Sequence, residues 1–181
     1  MPETFSSEKE QEILALASRR TIYALVKKFS GCNFHELERK SGLPTSTLQY
    51  HLHYLTKHGL LSMQRDGNKI RYFTQHVPQE DKQLLVLLRQ QTIRHLLLFI
   101  LTHKTCRQKD LIDFLKLSPS TVSGYLARLV ENGALQIITK HKENSYHLAV
   151  EEKAMIALLV TYKESFFDKL VDQTIEMWEF G

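Results

Sequence analysis

The side chains best suited to chemistry lie between Pro44 and Lys57. Leu48, Leu52 and Leu55 stand at i, i+4 and i+7, the spacing of one buried helical stripe. That leaves Thr45, Ser46, Gln49, Tyr50 and His53 facing outward, with Thr47 beside them. These are small or polar groups with donors and acceptors, on a helix near residues 44–57. Such a helix fits the major groove of double-stranded DNA, where base edges are read by side chains of this kind. Asp66-Gly67 follows as a hairpin signal, and Arg65, Lys69 and Arg71 fall on its two strands. With Lys57 they form a basic set suited to phosphate. Arg71→Ala is then expected to weaken binding to every sequence and reduce its salt dependence, whereas Gln49→Ala should change sequence preference.

The same pattern occurs twice. At an offset of 74 and with no gap, Leu43, Ser46, Thr47, Leu52, Leu55, Gly59 and Leu61 recur as Leu117, Ser120, Thr121, Leu126, Leu129, Gly133 and Leu135. Arg20, Cys32, Leu37 and Tyr72 recur as Arg94, Cys106, Leu111 and Tyr146. A repeat of this kind sets the domain plan: residues 1–78 form one module and 79–150 a second. In the second, Ser120, Thr121, Ser123 and Arg128 take the helix face, and Lys140 and Lys142 the hairpin. Gly124 replaces Tyr50 there, and Ser145 replaces Arg71. The second module therefore either binds DNA weakly or serves packing and dimer formation.

The elements that position these residues are legible in order. Residues 8–29 have helical apolar spacing with a possible break near Ser18. Asn33 is an N-cap for a short helix from Phe34 to Lys40, with Glu36 close to the cap. Ser41-Gly42 makes the turn into the outward-reading helix. In the second copy Ser118 and Pro119 supply the cap and first turn. Leu84 to Leu88 is apolar almost all round, so it should be buried. From Glu151 to Trp178 there is no Gly or Pro, which predicts one amphipathic helix of about 25 residues, about 38 Å long. Residues 151–181 are therefore read as a separate dimerisation element, with Leu159, Phe166, Phe167, Leu170, Ile175 and Trp178 against a second chain.

Charge supports this division. Residues 1–78 carry 11 Lys and Arg against 7 Asp and Glu, residues 79–150 carry 10 against 6, and residues 151–181 carry 3 against 7. The repeats are basic and suit a phosphate backbone, and the tail is acidic. No run of about 18 apolar residues exists, so no membrane span is expected. The polar, acidic N-terminus is unlike a signal peptide, and the two cysteines make no disulfide framework, which fits a cytoplasmic protein. His51 and His53 point to different helix faces and cannot chelate one metal together. No nucleophile motif, phosphate-cradling Gly loop or spaced carboxylate pair is present, so neither enzyme nor cofactor is expected, and no effector is named.

Ser46-Thr47-Leu48, His51-Leu52, Leu55, Gly59-Leu60-Leu61, Gly67 and Arg71 to Thr74 resemble the winged-helix regulators of the ArsR and MarR type. In the second copy the matching residues are Ser120-Thr121-Val122, Leu126, Leu129, Gly133 and Tyr146-His147-Leu148. The chain as a whole resembles the archaeal predicted transcription regulators that carry two such domains in tandem, over about residues 10–150. The paired cysteines of ArsR metal sensors are missing, so no metal is implied. The resemblance implies a mainly α fold with small β wings: two tandem winged helix-turn-helix domains, here followed by the C-terminal helix. It also implies a sequence-specific DNA-binding transcription regulator, read here as a homodimer. A tandem winged-helix scaffold for protein docking and a non-specific chromatin or single-strand binder are the alternatives.

Overall fold

The computed structural model describes residues 8–140, 143–166 and 169–180. The chain divides into two units, residues 1–82 and 83–181. The first contains α1 (Glu8–Ile13), α2 (Ala17–Lys28), β1 (Cys32–Asn33), α3 (Phe34–Ser41), α4 (Thr45–Lys57), β2 (Leu61–Asp66) and β3 (Lys69–Thr74). Helix α5 (Gln79–Leu88) straddles the division. The second unit continues with α6 (Gln91–His103), β4 (Cys106–Arg107), α7 (Gln108–Leu115), α8 (Pro119–Glu131), β5 (Leu135–Lys140), β6 (Glu143–Leu148), α9 (Glu152–Thr161) and α10 (Lys169–Phe180).

The offset of 74 survives residue by residue from α3 to β3, which match α7 to β6 end for end. Each unit has a three-stranded antiparallel sheet, ordered β1-β3-β2 in the first and β4-β6-β5 in the second. Cys32 faces Tyr72, and Cys106 faces Tyr146, in the same register. In both sheets the short strand preceding the middle helix covers one side of the hairpin. The hairpin's returning strand is therefore central, with backbone partners on both sides.

Local chemistry sets the helix boundaries. At α3 the Glu36 N–H donates to Asn33 Oδ1 at 3.1 Å, and the Asn33 N–H donates back to Glu36 Oε2 at 3.0 Å. This reciprocal pair satisfies two amides that a helix start leaves open. At α8 Ser118 caps by accepting from the Thr121 N–H at 3.2 Å, with Pro119 in the first turn. The expected break in the first long helix falls before Ala17. The repeated arginines serve the same purpose in both units: Arg20 Nη1 donates to Ala15 O at 3.1 Å and Arg94 Nη1 to Leu88 O at 2.6 Å. Each ties its helix to the end of the segment before it.

Helix α3 ends on Gly42 at φ 65°, and α7 ends at the equivalent Lys116 at φ 56°. A side chain in that left-handed region is strained, whereas glycine is not. Lys116→Gly is expected to stabilise the chain by about 1 kcal/mol, raising Tm by a few degrees. Scanning calorimetry of both proteins measures it, and an unchanged or lowered Tm would count against strain there.

The C-terminal segment differs from the single helix predicted from its spacing. Helix α9 stops at Thr161, a 3₁₀ turn covers Lys163–Ser165, and α10 begins at Lys169. Arg89 Nη1 donates to the Ser165 carbonyl at 2.6 Å, which satisfies a group that the break frees from helix bonding. The Arg94 guanidinium lies 5.2 Å from the Phe166 ring centre. Helix α10 packs on α6 within the same unit. The tail is therefore part of the second unit's core and not a separate element. Leu159, Phe166 and Ile175, expected at a chain–chain interface, are buried by their own chain. These contacts come from Arg89, between α5 and α6, and from Arg94 on α6, which the tail's own periodicity cannot register. Trp178 is half-buried. Phe167 lies outside the described residues, as does the side chain of Leu170.

Candidate nucleic-acid interface

Helix α4 is held by the core of its own unit. Leu48, Leu52 and Leu55 are buried together with Ile22, Val26 and Leu37. Burial of this stripe leaves the opposite face open. Thr45, Ser46, Gln49, Tyr50, His53 and Lys57 are exposed, and Thr47 is half-buried. The Thr45 hydroxyl is bonded to the Glu38 carboxylate across the turn. Pro44, at the N-cap of α4, makes no side-chain cap hydrogen bond.

The wing stands beside this face. Two open clefts flank Gln49, of about 410 and about 440 Å³. Thr45, Asn68 and Lys69 line the first, and His53, Lys57 and Met63 the second. Gln49 and Tyr72 line both, so they form the ridge between them. Arg65 and Lys69 are exposed on the hairpin. The exposed apolar wing residues Met63 and Ile70, and the loop residue Asn68, were not anticipated from sequence. They lie on no periodic face of α4, and only the folded hairpin brings them to it.

Arg71 corrects the sequence-based expectation. It lies on the central strand and is buried, with its side chain 8% exposed. Its Nε and Nη2 donate to Asp66 Oδ2 at 3.1 and 2.9 Å, and Nη1 donates to Gly31 O at 3.3 Å. Glu36 Oε2 is 3.7 Å from Nη1. The guanidinium ties the wing turn to the α3 cap and the β1 approach, and it has no open face for phosphate.

His51 is buried on the inner side of α4, and its Nδ1 has no hydrogen-bond partner among the described residues. Burial, and then the Arg19 guanidinium, hold its pKa below 6.5. Arg19 itself lies over the Tyr54 ring at 3.6 Å and donates to Ile13 O at 3.3 Å. An unfolded chain takes up this proton near pH 6.5, while the folded chain resists it. Stability is therefore expected to be intact above pH 6.5 and to fall as pH drops below it. Urea midpoints at pH 7.5 and 5.5 should separate in the wild type and move closer together in His51→Gln. An equal separation in both proteins would remove His51 as the cause.

The second unit presents a different surface at the same positions. Gln49, Tyr50, His53 and Lys57 correspond to Ser123, Gly124, Ala127 and Glu131. Arg65 and Lys69 correspond to Thr139 and Glu143. Ser120, Thr121, Ser123 and Lys140 are exposed, and Arg128 is half-buried. Lys142 lies outside the described residues. The Ser118 hydroxyl sits 3.0 Å from Ser120 Oγ and 2.8 Å from Thr121 Oγ1, so the helix start engages its own hydroxyls. Ile137, Ile138 and Phe114 are exposed. Neither cysteine is poised for reaction: both are buried, and burial, with Asp110 nearby, pushes the Cys106 thiol up to about 12. Among the described residues no cluster of metal-ligating side chains occurs, and no helix is long and apolar enough to cross a membrane.

The two units match different families of the same architecture. Residues 17–85 match an N-terminal HTH domain family, and residues 89–136 match the winged helix-turn-helix DNA-binding family. The chain carries two helix-turn-helix domains in tandem. An uncharacterized HTH-type transcriptional regulator of Methanocaldococcus jannaschii is 31% identical over 134 residues, 74% of this chain. The chain spans about a third (33%) of the length of that relative. The solved structure of ScpB from Mycobacterium tuberculosis is 14% identical and aligns over 78% of this chain and 94% of its own, at a TM-score of 0.31. At that score the likeness carries neither fold nor function.

Proposed function

We propose that this tandem helix-turn-helix protein is a sequence-specific regulator of transcription that binds double-stranded DNA chiefly through its first unit. The observation that carries the reading is the exposed row Gln49, Tyr50 and His53 on α4, next to a wing bearing Arg65 and Lys69. Gln49 suits an adenine edge, which offers one donor and one acceptor in the major groove. Lys57, Arg65 and Lys69 supply backbone contacts that orient the helix without reading sequence. The open first turn of α4 adds amide N–H groups that favour a phosphate oxygen. Ser46 and Thr47 lie in that turn.

The second unit supports a different role. Its equivalent face has small groups for readers and two glutamates for lysines, while Ile137 and Ile138 face outward. These substitutions favour protein docking over phosphate. A homodimer belongs to the proposal as well. With Leu159, Phe166 and Ile175 taken up inside the chain, its apolar contribution falls to the exposed Met177 and the half-buried Trp178 on α10.

Selection from a randomised duplex pool, read by fluorescence anisotropy at two salt concentrations, tests the reading. Strong enrichment of a short motif is expected, and a two-fold repeat in it is expected of a dimer. Binding without enrichment would replace regulation with an architectural role. No binding at low salt would overturn DNA as the partner.

A further inference from the structure

We infer that Tyr50 is a specificity residue that reads the C5 methyl group of a thymine, placed next to an adenine read by Gln49. The inference rests on the proposed reading of duplex DNA by α4 and names what that helix recognises. Tyr50 is 59% exposed, the largest exposure of any large apolar side chain on α4. A bare aromatic ring on a helix is costly to keep in water unless something covers it. The ring is not loosely placed. The His51 ring meets it edge-on at 5.2 Å, and the Tyr54 ring lies at 6.4 Å. Tyr54 is in turn held between His58, at 4.2 Å, and the Arg19 guanidinium. Tyr50 therefore heads a short aromatic row whose far end is fixed, and little freedom is lost when the ring is covered.

The chemistry of the groove selects what can cover it. In an intact duplex the base faces are stacked on one another, and only their edges reach the major groove. A ring entering that groove meets donors, acceptors and one apolar group, the thymine methyl. Gln49 precedes Tyr50 and lines both clefts of the α4 face. An amide that pairs with adenine and a ring that covers a methyl together select A·T pairs with a defined strand orientation. Hydrogen bonds alone set the adenine, and the methyl contact tells thymine from cytosine at the neighbouring base pair. The second unit has Gly124 and Ser123 at these places, with nothing within 4 Å of a Cβ added at Gly124. Packing does not exclude a larger residue there, so the ring belongs to the first unit's reading and not to the fold.

The test replaces each thymine of the enriched duplex, one at a time, by deoxyuridine, which removes only the methyl. At one thymine of each site the wild type is expected to lose about fourfold in affinity, the worth of one buried methyl. Tyr50→Ala should bind the enriched duplex less tightly and show no loss at that thymine. Tyr50→Phe keeps the ring and should retain the dependence, which separates the ring from the hydroxyl. Thermal unfolding of both variants, unchanged for so exposed a residue, keeps the comparison clean. If a motif is enriched but no thymine methyl matters to the wild type, the inference falls and the regulator reading stands. The same holds if Tyr50→Ala keeps the full dependence. If the pool does not enrich at all, both fall together.

Discussion

Arg71→Ala is expected to destabilise the first unit by roughly 3–5 kcal/mol, the range for breaking a buried ion pair from one side. The Arg71 and Asp66 side chains are 8% and 10% exposed, so water replaces little of what is lost. The truncation leaves Asp66 charged with its main cation gone, removes a donor from the Gly31 carbonyl and takes a cation away from Glu36. Each of those acceptors sits at a junction: the wing turn, the approach to β1 and the cap of α3. Arg71→Lys keeps the charge but loses the two-pronged bond to one carboxylate, so it should recover only part of the loss. Denaturant unfolding of the wild type, both variants and Asp66→Ala measures this, and the double variant gives the coupling. A loss under about 1 kcal/mol would show that the pair is replaceable by solvent. A second readout distinguishes strut from phosphate contact. At a temperature where Arg71→Ala remains folded, its salt dependence of DNA binding should match the wild type.

Removing Lys57, Arg65 and Lys69 together should have the opposite profile, with stability nearly unchanged and DNA affinity lowered on every sequence. All three side chains are exposed, so truncating them leaves no buried charge behind. Each cation that neutralises a phosphate releases condensed counterions, and log K then falls with log salt by about 0.9 per contact. The slope of the triple variant should therefore be shallower by close to one unit per cation removed. At low salt the loss should be on the order of a hundredfold, shrinking as salt rises. Lys140→Ala with Arg128→Ala, in the second unit, should move the slope far less. A larger effect from that pair than from the triple would transfer the backbone contacts to the second unit. An unchanged slope in the triple variant would mean that these cations face solvent in the complex.

These two experiments concern residues that look alike in one dimension. Lys69 and Arg71 stand two apart on β3, on the same face of the hairpin, and their spacing gives no reason to separate them. The separation comes from strand order. β3 lies between β1 and β2, so Arg71, Tyr72, Phe73 and Thr74 are all covered, while Arg65 and Lys69 stay at the open end. Charge alone suggests a partner in DNA, and the partner of Arg71 is an aspartate five residues earlier, brought back by the turn at Gly67.

Much of the architecture was nevertheless determined by sequence alone. From α3 and α7 onward the gapless offset of 74 holds through helix ends, strand ends and sheet register, because repeated apolar spacing buries the same stripe against the same neighbours. The caps at Asn33 and Ser118, and the outward face of α4, follow from interactions within a few residues, which sequence records directly. Only the tertiary structure decided what depends on distant groups. The two-residue strands β1 and β4 exist because a hairpin edge some 40 positions away accepts them. The C-terminal helix breaks at a turn where Arg89 donates to the Ser165 carbonyl and Arg94 lies against the Phe166 ring, partners supplied by the preceding segment. For the same reason spacing shows Leu159, Phe166 and Ile175 only to be apolar, and the tertiary structure shows that they are buried within the chain, with α10 packed on α6.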